Sequence, residues 1–271
     1  MSEKKLRLAL IGKDVSKSKS ERIHNFILNE FGVACDYEKI SCTPVQLDSV
    51  MRRLLGDFDG FNVTIPYKRD VFEYLDGIQG DAIACGAVNT VCSSTRQGYN
   101  TDGIGFLMML STAGFSVKDK SVLVLGAGGS GRSSAVALKN AGAKVFMYRR
   151  NREELNEVCT QLGVEAVSDP EMGGFDMLVN CTGVGMHDTV GKSPVTERAF
   201  LGASAAIDLI YEPKQSEFLR IAKEQGLKTL NGASMLFYQA YFADCVYLGR
   251  EPSEAEAKHF YEKYLKSTAE E

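Results

Sequence analysis

The fold is decided by Ser121-Val-Leu-Val-Leu125, which runs directly into Gly126-Ala127-Gly128-Gly129-Ser130-Gly131. The apolar run is typical of a buried parallel strand, and Ser133-Ser-Ala-Val-Ala-Leu138 continues it as a helix. A G-x-G-x-x-G pattern between strand and helix predicts a dinucleotide site. Its glycines permit a tight turn, a close approach to a pyrophosphate and close helix–strand packing. The alternative is a glycine-rich structural turn.

The next predicted strand, Lys144 to Tyr148, ends in Arg149-Arg150-Asn151-Arg152. An NAD-binding fold usually places an acidic residue here for the ribose 2′-hydroxyl, whereas this chain has no acid before Glu153. Guanidinium groups bind a 2′-phosphate by charge-assisted hydrogen bonds. We therefore predict NADP as the cofactor, with a solvated basic start to a helix as the alternative.

A third strand, Asp176 to Asn180, precedes Cys181-Thr182-Gly183-Val184-Gly185. Its small residues suit a loop beside the nicotinamide ring, although an ordinary turn would have the same composition. Alternating strand and helix signals continue to about Leu230, and an apolar helix is predicted over Ala233 to Leu248. The alternation predicts an α/β fold with a Rossmann-like, doubly wound domain.

Alternating signals also precede the glycine-rich loop. Strands are predicted over Leu6 to Ile11, Tyr37 to Ile40, Gly60 to Ile65 and Ala87 to Cys92, with a turn at Arg96 to Gly98. Helices are predicted between them, which favours a second, largely parallel sheet. Asn100-Thr-Asp-Gly103 opens an apolar helix, and the domain crossing is placed there.

Composition excludes several classes of function. A net charge of -4 and a pI near 5.6 argue against nucleic-acid binding, which needs concentrated Lys and Arg. The seven scattered cysteines form no C-x-x-C pair, so no metal site is predicted. No apolar stretch is long enough for a membrane span, and the N-terminus lacks a secretory signal. A cytoplasmic protein without a membrane partner is expected.

Polar residues of the N-terminal region and one near the C-terminus are candidates for a substrate site, each with a plain alternative. Ser18 and Glu21 fit a capping box, so this segment either only caps a helix or also grips a carboxylate through Ser18 and Ser20, since one serine can cap while the other binds. Lys68 lies just past a strand's C-terminal end, where open sheets hold ligands, but most such lysines are surface charges. For Asp102 the plain alternative is a helix N-cap, and for Gln239 it is a buried amide whose hydrogen bonds are satisfied.

The assembled motifs resemble the shikimate dehydrogenase family. The matching segments are Phe61-Asn-Val-Thr-Ile-Pro-Tyr-Lys68, Ala87-Val-Asn-Thr90, Asn100-Thr-Asp-Gly103, Gly126-Ala-Gly-Gly129, Asp208-Leu-Ile-Tyr211-Glu-Pro213 and Asn231-Gly232-Ala-Ser-Met235-Leu with Gln239. They run in order from about residue 12 to residue 240. Three positions around the serine pair depart from the family's usual Pro, His and Pro: Asp14, Lys17 and Glu21.

The resemblance implies NADPH-dependent, reversible reduction of 3-dehydroshikimate to shikimate, in aromatic amino acid biosynthesis. It implies a substrate domain of residues 1–103 completed by C-terminal helices 236–271, and an NADP domain of residues 104–235. Lys68 and Asp102 would be the catalytic pair. Substrate-binding residues would be Ser18, Ser20, Asn62, Thr64, Asn89, Tyr211 and Gln239, besides Asp102. The cofactor would be held by Gly126, Ala127, Gly128, Gly129, Ser130, Gly131, Arg149, Arg150, Thr182, Gly232 and Met235.

Three other functions share parts of this pattern. A quinate/shikimate dehydrogenase would use broader substrates and cofactors, and the arginines argue against NAD use. A methylenetetrahydrofolate dehydrogenase would need a larger, more aromatic cleft. A non-catalytic, NADP-sensing regulator would not need both Lys68 and Asp102. Either a monomer or a homodimer is compatible with the sequence.

Overall fold

The computed structural model describes residues 5–269, which form two compact units. Residues up to Gly105 together with those from Leu236 onward make the first, discontinuous unit, and Phe106–Met235 make the second. The assignment of substrate binding to residues 1–103 and 236–271, and of NADP binding to residues 104–235, stays a prediction.

Residues 5–269 contain twelve strands and nine α-helices, besides four short 3-10 helices. The strands are β1 Leu6–Gly12, β2 Cys35–Ser41, β3 Gly60–Val63, β4 Gly77–Ile78, β5 Thr90–Cys92, β6 Gln97–Tyr99, β7 Ser121–Leu125, β8 Lys144–Tyr148, β9 Glu165–Ala166, β10 Met177–Asn180, β11 Ala205–Asp208 and β12 Lys228–Asn231. The helices are α1 Ser20–Glu30, α2 Leu47–Asp57, α3 Asp81–Cys85, α4 Asp102–Thr112, α5 Gly129–Asn140, α6 Arg152–Leu162, α7 Glu217–Glu224, α8 Ala233–Leu248 and α9 Glu254–Ala269.

The first unit is built on a six-stranded sheet in the order β2-β1-β3-β5-β6-β4. β1 pairs in parallel with β2 and β3, whereas β5 pairs antiparallel with both β3 and β6. β4 pairs in parallel with β6, so three of the five strand pairs are parallel, and the prediction of a largely parallel sheet holds except for β5. Arg96, at φ 51°, turns the chain between β5 and β6, and Gln97 and Gly98 belong to a strand rather than to the predicted turn.

Helix α1 packs against β2 of this sheet. Ile23, Ile27 and Leu28 are fully or almost fully buried, because residues three and four apart share one helix face. Phe26 makes edge-on ring contacts with Phe237 of α8 and with Tyr264 of α9. The last two helices therefore contribute directly to the core of a unit that begins with β1.

The second unit is a six-stranded sheet in the order β12-β11-β10-β7-β8-β9. All of its pairs are parallel. The strand order reverses between β7 and β10, and ligands of open α/β sheets bind at the carboxyl end of such a switch point. The glycine-rich loop follows β7 there, as the doubly wound prediction requires.

All seven cysteines are free thiols. Among residues 5–269, no helix has both the length and the apolar character needed to cross a membrane.

Candidate active site

Lys68 and Asp102 meet in a buried ion pair of the first unit. Lys68 follows β3 and Asp102 is the first residue of α4, 34 positions later in the chain. The Lys68 ammonium donates to Asp102 Oδ2, and their side chains are only 11% and 8% exposed. The alternative placing of Lys68 as a solvated surface charge is therefore wrong. The hydrogen bonds of the Asp102 carboxylate run to Lys68 and Asn89, so its role is not that of a simple helix cap.

Asn89 fixes the other oxygen of this carboxylate. Its Nδ2 donates to Asp102 Oδ1 at 2.8 Å and to Thr101 Oγ1 at 3.0 Å, while its Oδ1 accepts from the Thr101 backbone N–H at 2.9 Å. With both oxygens of Asp102 occupied by donors, the carboxylate has one orientation. The structure thus brings three predicted site residues together.

Gln239 of α8 reaches the same cluster because α8 and α4 approach closely. A Cβ atom on Gly105 would lie 2.7 Å from Gln239 N and 2.9 Å from its Cα, so only glycine fits. Gln239 Oε1 lies 3.5 Å from Asn89 Nδ2, and its Nε2 donates to Leu236 O at 2.9 Å. One amide proton is thus used inside α8, and the oxygen faces the Asn89–Asp102 cluster.

Asn62 and the two serines form a second polar group in this unit. Asn62 Oδ1 accepts from Tyr37 OH at 2.9 Å, and its Nδ2 lies 3.3 Å from Asn89 O. Ser18 Oγ donates to Ser20 Oγ at 3.0 Å and accepts from the Ser20 backbone N–H at 3.2 Å. Thr64, which directly follows β3, is half-buried.

The predicted capping box is wrong. Helix α1 begins at Ser20 with Lys19 as its N-cap and has no side-chain cap hydrogen bond. Ser18 bonds to Ser20 instead, and the Glu21 carboxylate lies 3.5 Å from Lys39 Nζ. A residue pattern alone did not reveal that the chain turns tightly here before the helix starts.

In the second unit the glycine-rich loop has the shape that a pyrophosphate needs. A Cβ on Gly131 would lie 2.1 Å from Gly126 O, so close packing demands glycine, whereas a Cβ on Gly128 would point into open space. Gly128 is the N-cap of α5 and provides no side-chain cap, so the first backbone N–H groups of the helix have no side-chain acceptor there. These N–H groups and the helix dipole favour an anion, and the loop fits a dinucleotide.

The arginines after β8 differ in their partners. Arg149 forms an ion pair with Glu154, which is also held by Asn151: Asn151 Nδ2 donates to Glu154 Oε1 at 2.7 Å, and the Glu154 backbone N–H donates to Asn151 Oδ1 at 3.3 Å. Among the contacts described for residues 5–269, Arg150 has no ion-pair partner. The two predicted phosphate ligands are therefore not equivalent.

A buried network shapes the loops after β10 and β11. Asn180 Oδ1 accepts from the Thr182 hydroxyl at 2.6 Å, and Asn180 Nδ2 donates to Asp208 Oδ1 at 3.1 Å. Asp208 also accepts from the Ser216 hydroxyl. Burial raises the pKa of Asp208 to about 6, against the lowering effect of these hydrogen bonds.

The remaining predicted site residues of the second unit are Tyr211, Gly232 and Met235, which follow β11 and β12 in the chain. A Cβ on Gly232 would lie 2.1 Å from Leu209 O, so close packing requires glycine at this position. Met235 is 8% exposed at the start of α8, and Tyr211 is partly buried after β11.

Within residues 5–269, no group of three or more His, Cys, Asp or Glu side chains is placed to hold a metal ion.

Comparison with known proteins identifies the family of this chain. Residues 10–91 match the family model described as the shikimate dehydrogenase substrate binding domain. A protein of Caldanaerobacter subterraneus subsp. tengcongensis named shikimate dehydrogenase (NADP(+)) is 36% identical over 256 residues, covering 89% of this chain and 90% of the relative. The chain belongs to the shikimate dehydrogenase family.

Solved structures agree with this membership. Shikimate 5-dehydrogenase from Thermus thermophilus, solved in complex with NADP(H) and shikimate, has a TM-score of 0.86 and 34% identity, covering 95% of this chain and 99% of that one. A chorismate mutase/shikimate 5-dehydrogenase fusion protein from Clostridium acetobutylicum has a TM-score of 0.88 and 33% identity, covering 97% and 98%. The predicted two-domain α/β fold is confirmed.

The departures from the family's usual serine loop have local replacements. Asp14 stands where the shikimate dehydrogenase pattern usually has proline, and its Oδ1 accepts from the Ser16 backbone N–H at 3.0 Å and the Ser16 hydroxyl at 2.7 Å. This Asx turn restrains the loop in place of a fixed proline φ. Lys39 donates to Ser16 O at 3.2 Å and faces Glu21, which balances that negative charge.

Two contributing residues were missed at the sequence level. Tyr37 was assigned only to a strand, and a single buried tyrosine gives no signal of its own. Glu154 could have been found, because Asn151-x-x-Glu154 is the spacing of a capping box. Its position three residues after a cap places its carboxylate beside Arg149, which precedes the helix.

Proposed function

We propose that this protein catalyses the reversible, NADP-dependent interconversion of 3-dehydroshikimate and shikimate. The observation that carries the proposal is the buried Lys68–Asp102 ion pair, oriented by Asn89. It lies in a chain 36% identical over 89% of its length to a protein named shikimate dehydrogenase (NADP(+)). Such a pair of unlike charges in a sheltered site is suited to proton transfer beside a ring carbonyl or hydroxyl.

When bound, the nicotinamide ring supplies or accepts the hydride. The chain's own residues handle the proton and the charge. In the reducing direction, the Lys68 ammonium stabilises the negative charge that develops on the former carbonyl oxygen and donates a proton to it. Asp102 favours the charged form of Lys68 through its own negative charge. In the oxidising direction, the same pair takes the proton from the substrate hydroxyl.

The remaining groups would bind and orient the substrate. Ser18 and Ser20, with Thr64 and Tyr211, would hold the carboxylate. Asn62, Gln239 and Asp102 would hold ring hydroxyls. Asn89 donates both amide protons within the protein, and its Oδ1 accepts from the Thr90 hydroxyl and the Thr101 backbone N–H, so its proposed contribution is to orient Asp102 toward a ring hydroxyl. All of these residues except Tyr211, which lies in the second unit, belong to the first unit.

The cofactor would be held by the second unit. The loop Gly126–Gly131 would bind the pyrophosphate at the N-terminus of α5, and Arg149 and Arg150 would bind the 2′-phosphate. Thr182, Gly232 and Met235 would line the nicotinamide end. We also propose a cytoplasmic location, which the seven free thiols support. A mass measurement in solution would distinguish a monomer from a homodimer.

Two alternatives make different predictions. A quinate/shikimate dehydrogenase would oxidise quinate as well, and an NADP-sensing regulator would oxidise neither compound. The catalytic function is favoured because both members of the Lys68–Asp102 pair are present and paired. A regulator would have no use for this desolvated pair.

The test follows nicotinamide absorbance while purified protein receives shikimate or quinate with NADP⁺ or NAD⁺. Reduction of NADP⁺ by shikimate alone is the expected result. K68M should lower kcat by about 10²–10⁴-fold, the usual contribution of a general acid–base group. It should change KM little.

K120M is the matched control, because Lys120 forms a surface ion pair with Asp176 at 3.2 Å and is 46% exposed. It should keep the wild-type rate. Absence of turnover in every combination, with NADP⁺ binding shown separately, would contradict the proposed reaction while leaving the nucleotide site intact.

A further inference from the structure

Tyr37 lies in β2 with its hydroxyl between two groups assigned above to substrate binding. The side chain is buried, and its hydroxyl donates to Asn62 Oδ1 at 2.9 Å. Burial raises the pKa of Tyr37 well above its ordinary value, whereas a side-chain hydrogen bond with Ser20 lowers it. The hydroxyl is therefore protonated at neutral pH, and it contacts Ser20 of α1 and Asn62 of β3 at the same time.

The ring of Tyr37 is held from its other side. It stacks on the His24 ring with 4.8 Å between centroids and 16° between planes. His24 Nδ1 lies 2.6 Å from Asp244 Oδ1 of α8, and both side chains are completely or almost completely buried. Helix α8 thus fixes His24, and His24 fixes the plane in which the Tyr37 hydroxyl lies.

This arrangement determines how Asn62 presents its amide. Because Tyr37 donates to Oδ1, the amide group cannot flip without losing that bond, and Nδ2 faces Asn89 O at 3.3 Å and Thr90 Oγ1 at 3.4 Å. A carbonyl oxygen has two lone pairs. The second one is left for a hydroxyl group that donates to Asn62.

We propose that Tyr37 is a positioning residue for the substrate: its hydroxyl fixes the Asn62 amide as an acceptor for a ring hydroxyl and holds the Ser20 hydroxyl beside it. The inference rests on the proposed function, since it assigns a polyhydroxylated acid to these two groups. A tyrosine that served only the packing of the core would have no reason to bridge Ser20 of α1 and Asn62 of β3, two residues assigned to substrate binding.

The test is Y37F, which removes the hydroxyl and keeps the ring that stacks on His24. The KM for shikimate should rise about tenfold, equivalent to about 1.4 kcal/mol. The kcat and the KM for NADP⁺ should stay within about twofold, because ground-state positioning is lost while the catalytic pair is untouched. Y241F is the matched control: it removes another buried hydroxyl of the same unit, which donates to Glu256 Oε2 at 2.7 Å, and should leave both parameters unchanged.

A double-mutant cycle separates positioning from a general loss of structure. In an N62A background, Y37F should raise the KM for shikimate by only about threefold or less, because Ser20 alone remains to be positioned. An equal rise in both backgrounds, or an unchanged KM in Y37F alone, would overturn the proposal.

Thermal unfolding checks that Y37F is folded. If it is not, H24Q provides the second test, since glutamine can still donate to Asp244 while the stacking on Tyr37 is lost. The KM for shikimate should rise in H24Q, and an unchanged KM would again overturn the proposal. If the wild type fails to oxidise shikimate, the proposed function itself is contradicted. If the wild type is active and Y37F has the same KM for shikimate, only the role of Tyr37 is contradicted.

Discussion

Lys68 and Asp102 illustrate what a buried ion pair requires at the scale of single residues. Removing two charges from water is costly, and the cost is offset only when the pair has good geometry and further hydrogen bonds. Asn89 supplies such a bond to Asp102 Oδ1 at 2.8 Å. Breaking one side of the pair leaves a buried charge alone, so every variant of Lys68 needs its stability measured beside its activity.

Arg150 is the residue on which discrimination between cofactors should depend most. Arg149 is already paired with Glu154, whereas Arg150 is available for a 2′-phosphate. R150A should raise the KM for NADP⁺ about tenfold or more, the value of a charge-assisted hydrogen bond, and leave the KM for NAD⁺ unchanged. R149A should have a smaller effect.

Steady-state kinetics with both cofactors would measure these ratios. R220A is the matched control, because Arg220 pairs with Glu217 and Glu224 on its own helix α7. This helix packs against β11 and β12, at the other side of the sheet from β8. An unchanged preference for NADP⁺ in R150A would show that Arg150 does not bind the 2′-phosphate.

Asp208 should make stability depend on pH. Burial raises its folded-state pKa from 3.8 to about 6. The stabilisation from its protonated form is fully present below the unfolded pKa and is lost as the pH rises through about 6. In D208N the amide is neutral at every pH, so this dependence should disappear.

Thermal unfolding of wild type and D208N between about pH 4 and 7 would measure the effect. The melting temperature of the wild type, relative to D208N, should fall as the pH rises across that range. A difference that is constant with pH would show that Asp208 does not titrate in this window.

Some of the site could be predicted at this scale and some could not. Lys68 and Asp102 were each identifiable as candidates, but their contact joins positions 34 apart, and a spacing of that kind carries no periodic signal. Tyr37 had no polar motif around it. Its role depends on partners from α1 and β3 that only the folded chain brings together.

At the scale of elements, the crossing of α4 and α8 depends on Gly105. A Cβ at this position would lie 2.7 Å from Gln239 N, which is closer than unstrained packing allows. G105A should therefore push the helices apart, lower the melting temperature and raise the KM for shikimate, since Gln239 and Asp102 lie on these two helices. G114A is less suitable as a control because Gly114 has φ +76°.

A better control is G56A, because Gly56 is in a helix, without a positive φ and with no atom within 4 Å of an added Cβ. Alanine there should be neutral or slightly stabilising, since glycine disfavours helix interiors. Equal melting temperatures and equal KM values for G105A and wild type would show that the close approach is not required.

Periodicity predicted the elements better than it predicted their pairing. Strand β8 and helix α8 were predicted with the bounds that the structure has, because apolar runs with clear ends define them. The antiparallel β5–β6 hairpin was missed, since Arg96-Gln97-Gly98 has the composition of a plain turn. Pairing direction follows from where the chain folds back, and a positive φ at Arg96 is not encoded by any strong residue preference.

At the scale of the whole molecule, the two units differ in how the chain builds them. The second is continuous from Phe106 to Met235, whereas the first combines residues up to Gly105 with those from Leu236 onward. The His24–Asp244 pair joins positions 220 apart, and Phe26 packs on Phe237 and Tyr264. The first unit is therefore incomplete without the last two helices.

This discontinuity has a consequence during synthesis on the ribosome. The second unit is continuous and can fold once Met235 has emerged, but β1, β2 and α1, made first, must wait for α8. At about 5–20 residues per second, the interval from Gly105 to Asp244 lasts roughly 7–28 s. Throughout that time the faces of α1 and β2 that will meet α8, including His24 and Tyr37, are open to chaperones, and the half of the protein translated first is the half that matures last.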